Sequence, residues 1–444
     1  MVDRAWSQLS PDERLERRWA AFVDPGLEFV SPDAAAEYRA RAIRLKKAIL
    51  LEGEPDRVPV CVLAGYYPAT RKGLTPYDVM HDYDLAAKVW LECNHDLQAD
   101  SLIAPVFAAI PARAYELLDV KILGLPGHGA PREAGFQYNE KEWMQADEYD
   151  LLIDDPTDYL LHYYLPRVAG GLEGFSKLAS PLDMVEIVAG PPWMMRWADP
   201  DVQASLEKLA AAGRECGAWG GTIYPLLGRL VAEGFPGPFS QMSLAPFDFI
   251  GDTLRGTRGI LMDMFRQPDA VLEACDRLAP VVVKWVTRRS NPFTPPLVFI
   301  PLHKGADGFM SVEQFQKFYW PSLRKVIDGL VADGFVVYLF AEGAYGTRLE
   351  TIADVPKGRT VWQFDHTDMR RAKEILGGIA CIQGNVPISL LQLGTADQVK
   401  AYSRDLIEAI GPGGGFILDA GAVVDDAKAG NVEAMIQAAK QSAT

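Results

Sequence analysis

One alternation constrains this chain more than any other feature. From Val58 onward, short apolar runs bounded by turn residues alternate with longer amphipathic segments. The runs are VPVCVLAG (58–65), DSLIAPVFA (100–108), MVEIVAG (184–190), FSQMSLAP (239–246), LVFIPLH (297–303), FVVYLFAEG (335–343), TVWQFDH (360–366), IACIQGN (379–385) and GGFILDAG (414–421). Segments with helical periodicity lie between the later ones, such as VEQFQKFYWPSLRKVIDGLVADG and TADQVKAYSRDLIEAIG. Apolar runs without a polar face, separated by helices, read as parallel strands buried on both sides. Roughly eight such units predict an α/β protein, a (β/α)8 barrel more readily than a doubly wound open sheet. No GxGxxG follows the first run, which disfavours a dinucleotide site.

Residues 1–50 read as a helical extension, opened by the Ser-x-x-Glu capping pattern of SPDERLERRW, and residues 51–444 as the barrel. The stretch 109–180 is long and irregular and is expected to cover one barrel face.

The formal net charge of −15 argues against nucleic acid or an anionic membrane as the main partner and leaves a small-molecule substrate. The polar first residues and the lack of a membrane-length apolar window predict a cytoplasmic protein. The five cysteines, Cys61, Cys93, Cys216, Cys275 and Cys381, are scattered with no CxxC spacing, as expected of free thiols in a reducing compartment.

In a barrel, reactive groups gather at the carboxyl ends of the strands. Those ends offer Tyr66 and Tyr67, Trp193, Asp248 and Asp252, His303 and Lys304, Glu342, Asp365 and His366, Gln383 and Asn385, and Asp419. Glu342 stands out because a fully apolar run finishes on it. It reads either as a general acid or base or an oxygen ligand, or as a solvated loop carboxylate. His303 is a proton shuttle or polar lining, and Asp365 joins them as a catalytic candidate. Tyr66, Tyr67, Trp193, Asp248, Gln383, Asn385 and Asp419 are candidates for binding substrate or cofactor. The GPPWMMRW cluster (190–197) around Trp193 reads as an apolar wall for a flat ligand or as core packing.

RLKKAILLEGEPDRVPV (44–60) resembles the lead into the first strand of the uroporphyrinogen decarboxylase superfamily, and GLTPYDVMHDYDLAAKVWLECNHDLQAD (73–100) its next helices. GFMSVEQFQKFYWPSLRKVIDGLVADGF (308–335) resembles its SPE-x-F-x-x-F-x-x-P helix, with Ser311, Phe315, Phe318 and Pro321 in step. IACIQGNVP (379–387) resembles its I-x-GN strand end, and GGFILDAGAVVDDAKAGNVEAMIQAAK its closing strand and helix. The resemblance implies a (β/α)8 barrel and a homodimer.

It also implies one of two chemistries. The decarboxylases carry RQAGRY after the first strand to bind substrate carboxylates; here LAGYYP (63–68) stands there, with Tyr66 at the arginine position. The corrinoid-dependent methyltransferases hold zinc through H-x-C-G and a later GCG. The matching positions here are Phe340, Ala341, Glu342 and Gly343, then Ala420, Gly421 and Ala422, so the thiolates and imidazole are absent. The expectation is methyl transfer with methylcobalamin or another corrinoid, free or carried by a partner protein, and no zinc or other metal. The alternatives are a decarboxylase or lyase, and a barrel that binds a corrinoid without turnover.

Overall fold

The computed structural model describes residues 5–442. Six parallel strands form its main sheet: β1 (Phe239–Met242), β2 (Leu297–Leu302), β3 (Val336–Ala341), β4 (Thr360–Phe364), β5 (Cys381–Val386) and β6 (Phe416–Ala420). They are hydrogen-bonded in chain order, with helices between them. Every residue of β2 to β6 is buried, as expected of strands covered on both faces.

The side-chain period of two divides the core. Val298, Ile300, Val337, Leu339, Ile382 and Leu418 point to one face and pack in the large cluster that holds the surrounding helices. Phe299, Tyr338, Phe340, Val361, Cys381 and Ile417 point to the other. There they meet Trp19, Phe22, Tyr38, Leu45 and Ile49 from the helices Pro11–Val23 and Pro32–Ile49. The first of these helices opens with the expected capping box, in which the Ser10 hydroxyl accepts from the Glu13 amide and the Glu13 carboxylate accepts from the Ser10 amide.

Three of the nine apolar runs are not regular strands. Residues 58–65 and 100–104 run outside regular strands and 105–108 turn, and prolines Pro59 and Pro105 each remove a ladder donor there. Their backbones nevertheless link the two edges of the sheet. Cys61 N donates to Leu418 O (3.0 Å), Asp100 N to Val60 O (2.8 Å) and Leu102 N to Pro236 O (2.9 Å). The third run, 184–190, is no strand at all: it makes tight helical turns, with Ile187 and Val188 exposed. Pro181 before it and Pro191 after it start new turns and leave no room for a ladder.

Within 109–180, the short strands Leu123–Pro126, Gly129–Ala130 and Gln137–Tyr138 form a small sheet beside short helices. Among the described residues, no helix is long and apolar enough to cross a membrane.

Candidate functional site

The carboxyl ends of β2, β3 and β4 bring three predicted residues together. His303 follows β2, Glu342 follows β3 and Asp365 follows β4. His303 Nε2 lies 3.5 Å from Glu342 Oε1, and its Nδ1 lies 2.6 Å from Asp252 Oδ2. Asp365 Oδ2 accepts from the Gly343 amide at 3.2 Å, which sets it beside Glu342.

Asp248 and Asp252 come from the helical segment 246–254 that follows β1. Asp248 is fully buried beneath the cluster. Its Oδ2 accepts from the His303 amide (3.0 Å) and from the Tyr319 hydroxyl (2.6 Å), and its Oδ1 accepts from the Lys304 amide (3.0 Å). Lys304 Nζ reaches Asp252 at 2.9 Å and Glu140 at 3.1 Å. Glu140 and Tyr319 do not lie at the ends of the main sheet's strands. They enter from the 109–180 connection and from the helical segment 312–332, and no local pattern marks them.

The electrostatics follow from this packing. Burial disfavours a charge on His303, but its bonds to Asp252 and Glu342 outweigh that and push the imidazole up to about 11. Both ring nitrogens therefore carry protons at neutral pH. Burial and the neighbouring charge of Asp252 push Asp248 up to about 7, in spite of its three donors. Burial raises Asp252 too, yet His303 and Lys304 hold it below the usual carboxylate range. Burial lifts Asp365 above that range.

The other predicted residues fall into three groups. Asn385 buttresses the cluster from below: its Nδ2 donates to the carbonyls of Asp365 (3.0 Å) and Thr367 (2.8 Å). Gln383 and Asp419 lie deeper on the inner face, with Gln383 Nε2 donating to Asp419 Oδ2 at 2.8 Å. Burial raises Asp419 to about 6.

Tyr66, Tyr67 and Trp193 lie elsewhere. Tyr66 and Tyr67 are buried in the outer cluster, because the helix Tyr67–Thr70 begins at once and turns both rings away from the strand ends. Tyr66 packs on Gly135 and Phe136, and its hydroxyl lies 3.7 Å from Met80 Sδ. Trp193 sits on the short helix Pro191–Met194 under the guanidinium of Arg196, away from every strand end.

Among the described residues, Asp248, Asp252 and His303 can bring one donor atom each within 4.8 Å of one another. All three are already engaged: Asp248 by two amides and a hydroxyl, and His303 Nδ1 by Asp252. Four of the five cysteines are buried, and none belongs to this group. A zinc–thiol centre needs sulfur and neutral imidazole donors, and these residues do not fit one.

The family model described as uroporphyrinogen decarboxylase (URO-D) matches residues 236–442. The uroporphyrinogen decarboxylase of Pseudomonas aeruginosa (strain LESB58) is 28% identical over 201 residues, which cover 44% of this chain and 54% of the relative. That of Syntrophotalea carbinolica is 25% identical over 261 residues, 58% of this chain and 71% of the relative. The chain thus spans about half the length of the first of these relatives. A methyltransferase from Methanosarcina mazei superposes with a TM-score of 0.53 at 16% identity, covering 90% of this chain and 97% of that one, a likeness of fold alone. Through residues 236–442, this chain is similar to the uroporphyrinogen decarboxylase family.

Proposed function

We propose that the chain closes into a (β/α)8 barrel, with segments 59–63 and 100–103 as its first two staves. We further propose that its mouth transfers a methyl group between a small molecule and a corrinoid carried by a partner protein, without zinc. The observation that carries this reading is the His303 imidazole held between the carboxylates of Asp252 and Glu342 at the strand ends. A methyl group bound to oxygen or nitrogen leaves readily only when the departing heteroatom receives a proton. His303 is the proton donor in this reading. Asp252 fixes the ring, Glu342 orients the substrate and restores the proton, and Asp365 and Asn385 hold the β3 and β4 tips in place. The corrinoid supplies the nucleophile for the methyl group. A homodimer and a cytoplasmic setting belong to the same proposal.

The charge balance speaks against the decarboxylase alternative. Among the described residues, Glu140, Asp248, Asp252, Glu342 and Asp365 surround the basic groups of His303, Lys304 and His366, and all three are already paired. A substrate with many carboxylates needs unpaired cations to offset its desolvation. A neutral or cationic methyl compound suits this mouth better. The test mixes the protein with a free corrinoid and candidate methyl ethers and methylamines, while the corrinoid absorption spectrum is followed. A spectral change that is lost in His303→Gln supports the reading. Carbon dioxide release from uroporphyrinogen, with no change in the corrinoid, overturns it.

A further inference from the structure

The inner face of the sheet borders a hollow of about 580 Å³, within the range of small-molecule sites. Neither His303, Glu342 nor Asp365 lines it. Its wall is mostly apolar, and six aromatic side chains stand in it: Phe107, Trp219, Tyr224, Phe239, Phe299 and Tyr338. The rings are already arranged around one another. Phe239 meets Tyr338 edge-on with centroids 4.9 Å apart, and Phe299 stacks on Tyr338 at 5.6 Å and tilts against Phe107 at 5.6 Å. At the outer rim Tyr224 is 64% exposed and Phe107 46% exposed, so the aromatic surface continues from the interior to the outside.

The inner end is polar. Asp419, fully buried, borders the hollow with Gln383 and Cys61. A carboxylate offers about four acceptor positions. Asp419 Oδ1 takes the amides of Leu63 (3.2 Å) and Ala420 (2.7 Å), and Oδ2 takes Gln383 Nε2 (2.8 Å). Among the described residues this leaves one acceptor position, on Oδ2. A buried carboxylate beside a largely apolar chamber is costly to leave with an acceptor position unmatched.

We infer that this hollow is a binding site for a flat aromatic molecule bearing a hydroxyl group, with its rings among Phe299, Tyr338 and Phe239 and its hydroxyl donating to Asp419. Aliphatic ligands lose the edge and face contacts that the wall offers, and a ring without a donor leaves the carboxylate unsatisfied. The site stands apart from the mouth cluster, and the inference does not depend on the methyl-transfer reading.

The probes are 2-naphthol, naphthalene and cyclohexanol, titrated calorimetrically against the whole chain. The expected order is 2-naphthol about tenfold tighter than naphthalene, the discrimination of one hydrogen bond to a charged acceptor, with cyclohexanol weaker than both. Asp419→Asn narrows the naphthol-to-naphthalene ratio severalfold. Asp419 is buried, so Gly228→Leu serves as a second variant. Gly228 lines the hollow from the helix Pro200–Ala232, and a Cβ there meets nothing within 4 Å. Leucine also favours the helix, so this variant folds while its side chain crowds the hollow and weakens 2-naphthol at least tenfold. Failure of 2-naphthol to bind, equal binding of naphthol and naphthalene, or unchanged binding in Gly228→Leu would overturn the assignment.

Discussion

Asp248 and Asp252 stand four residues apart on one helical segment, yet one is pushed up to about 7 and the other is held below the usual carboxylate range. The difference comes from their partners. Asp252 faces two cations, whereas Asp248 is deeper and receives only amides and a phenol. Divergent carboxyl groups around one imidazolium are the usual mark of an acid–base site.

Glu342→Gln keeps the shape of the side chain and removes its charge. If Glu342 restores the proton of His303, turnover in the corrinoid assay falls about 10²–10⁴-fold while the melting temperature stays within a degree or two. Stopped-flow absorption and a thermal melt check both halves.

The pH dependence of His303 has a definite sign. Its folded value, about 11, lies above the ordinary 6.5. Its contribution to stability is therefore complete below about pH 6.5 and fades as the pH rises toward 11. The gap in melting temperature between the parent protein and His303→Gln should be widest near pH 6 and shrink steadily up to pH 10. A gap that stays constant over that range contradicts the raised value.

Tyr319→Phe removes one of the three donors to buried Asp248. The raised carboxyl opposes folding once ionised, so its penalty is absent well below pH 4 and complete above about pH 7. Losing the phenol enlarges that penalty. The variant should be about 1–3 kcal/mol less stable at pH 8, with a smaller loss at pH 5, as read by urea unfolding at the two pH values.

Asn385→Ala leaves the carbonyls of Asp365 and Thr367 without their shared donor. A loss of about 2 kcal/mol is expected in urea unfolding, because buried acceptors are costly to leave unmatched. Turnover should fall as well, since Asp365 braces the Gly343 amide next to Glu342.

The strands and the heart of the cluster were legible for the same reason. β2 and β3 are apolar throughout and β4 mostly so, and the residue that follows each of the three sits beside the others at the strand ends, which exposes His303, Glu342 and Asp365 to simple reading. Run 184–190 is equally apolar but lies on the surface, so hydropathy alone could not separate it from a buried strand. Tyr66 and Tyr67 were misplaced because a helix starting at Tyr67 reverses the direction in which they point. Glu140 was invisible because its approach to Lys304 depends on the path of a long connection. The aromatic hollow was hidden as well, since its wall draws on strands, the 100–108 segment and one long helix whose spacing only the folded chain sets.

Trp19, Tyr38 and Leu45 pack into the same cluster as Phe299, Tyr338 and Ile417, so the two leading helices form the floor of the sheet's interior. A chain cut after residue 50 would not be a smaller version of this protein. It would be a sheet stripped on one face, with Phe299, Tyr338 and Ile417 open to water.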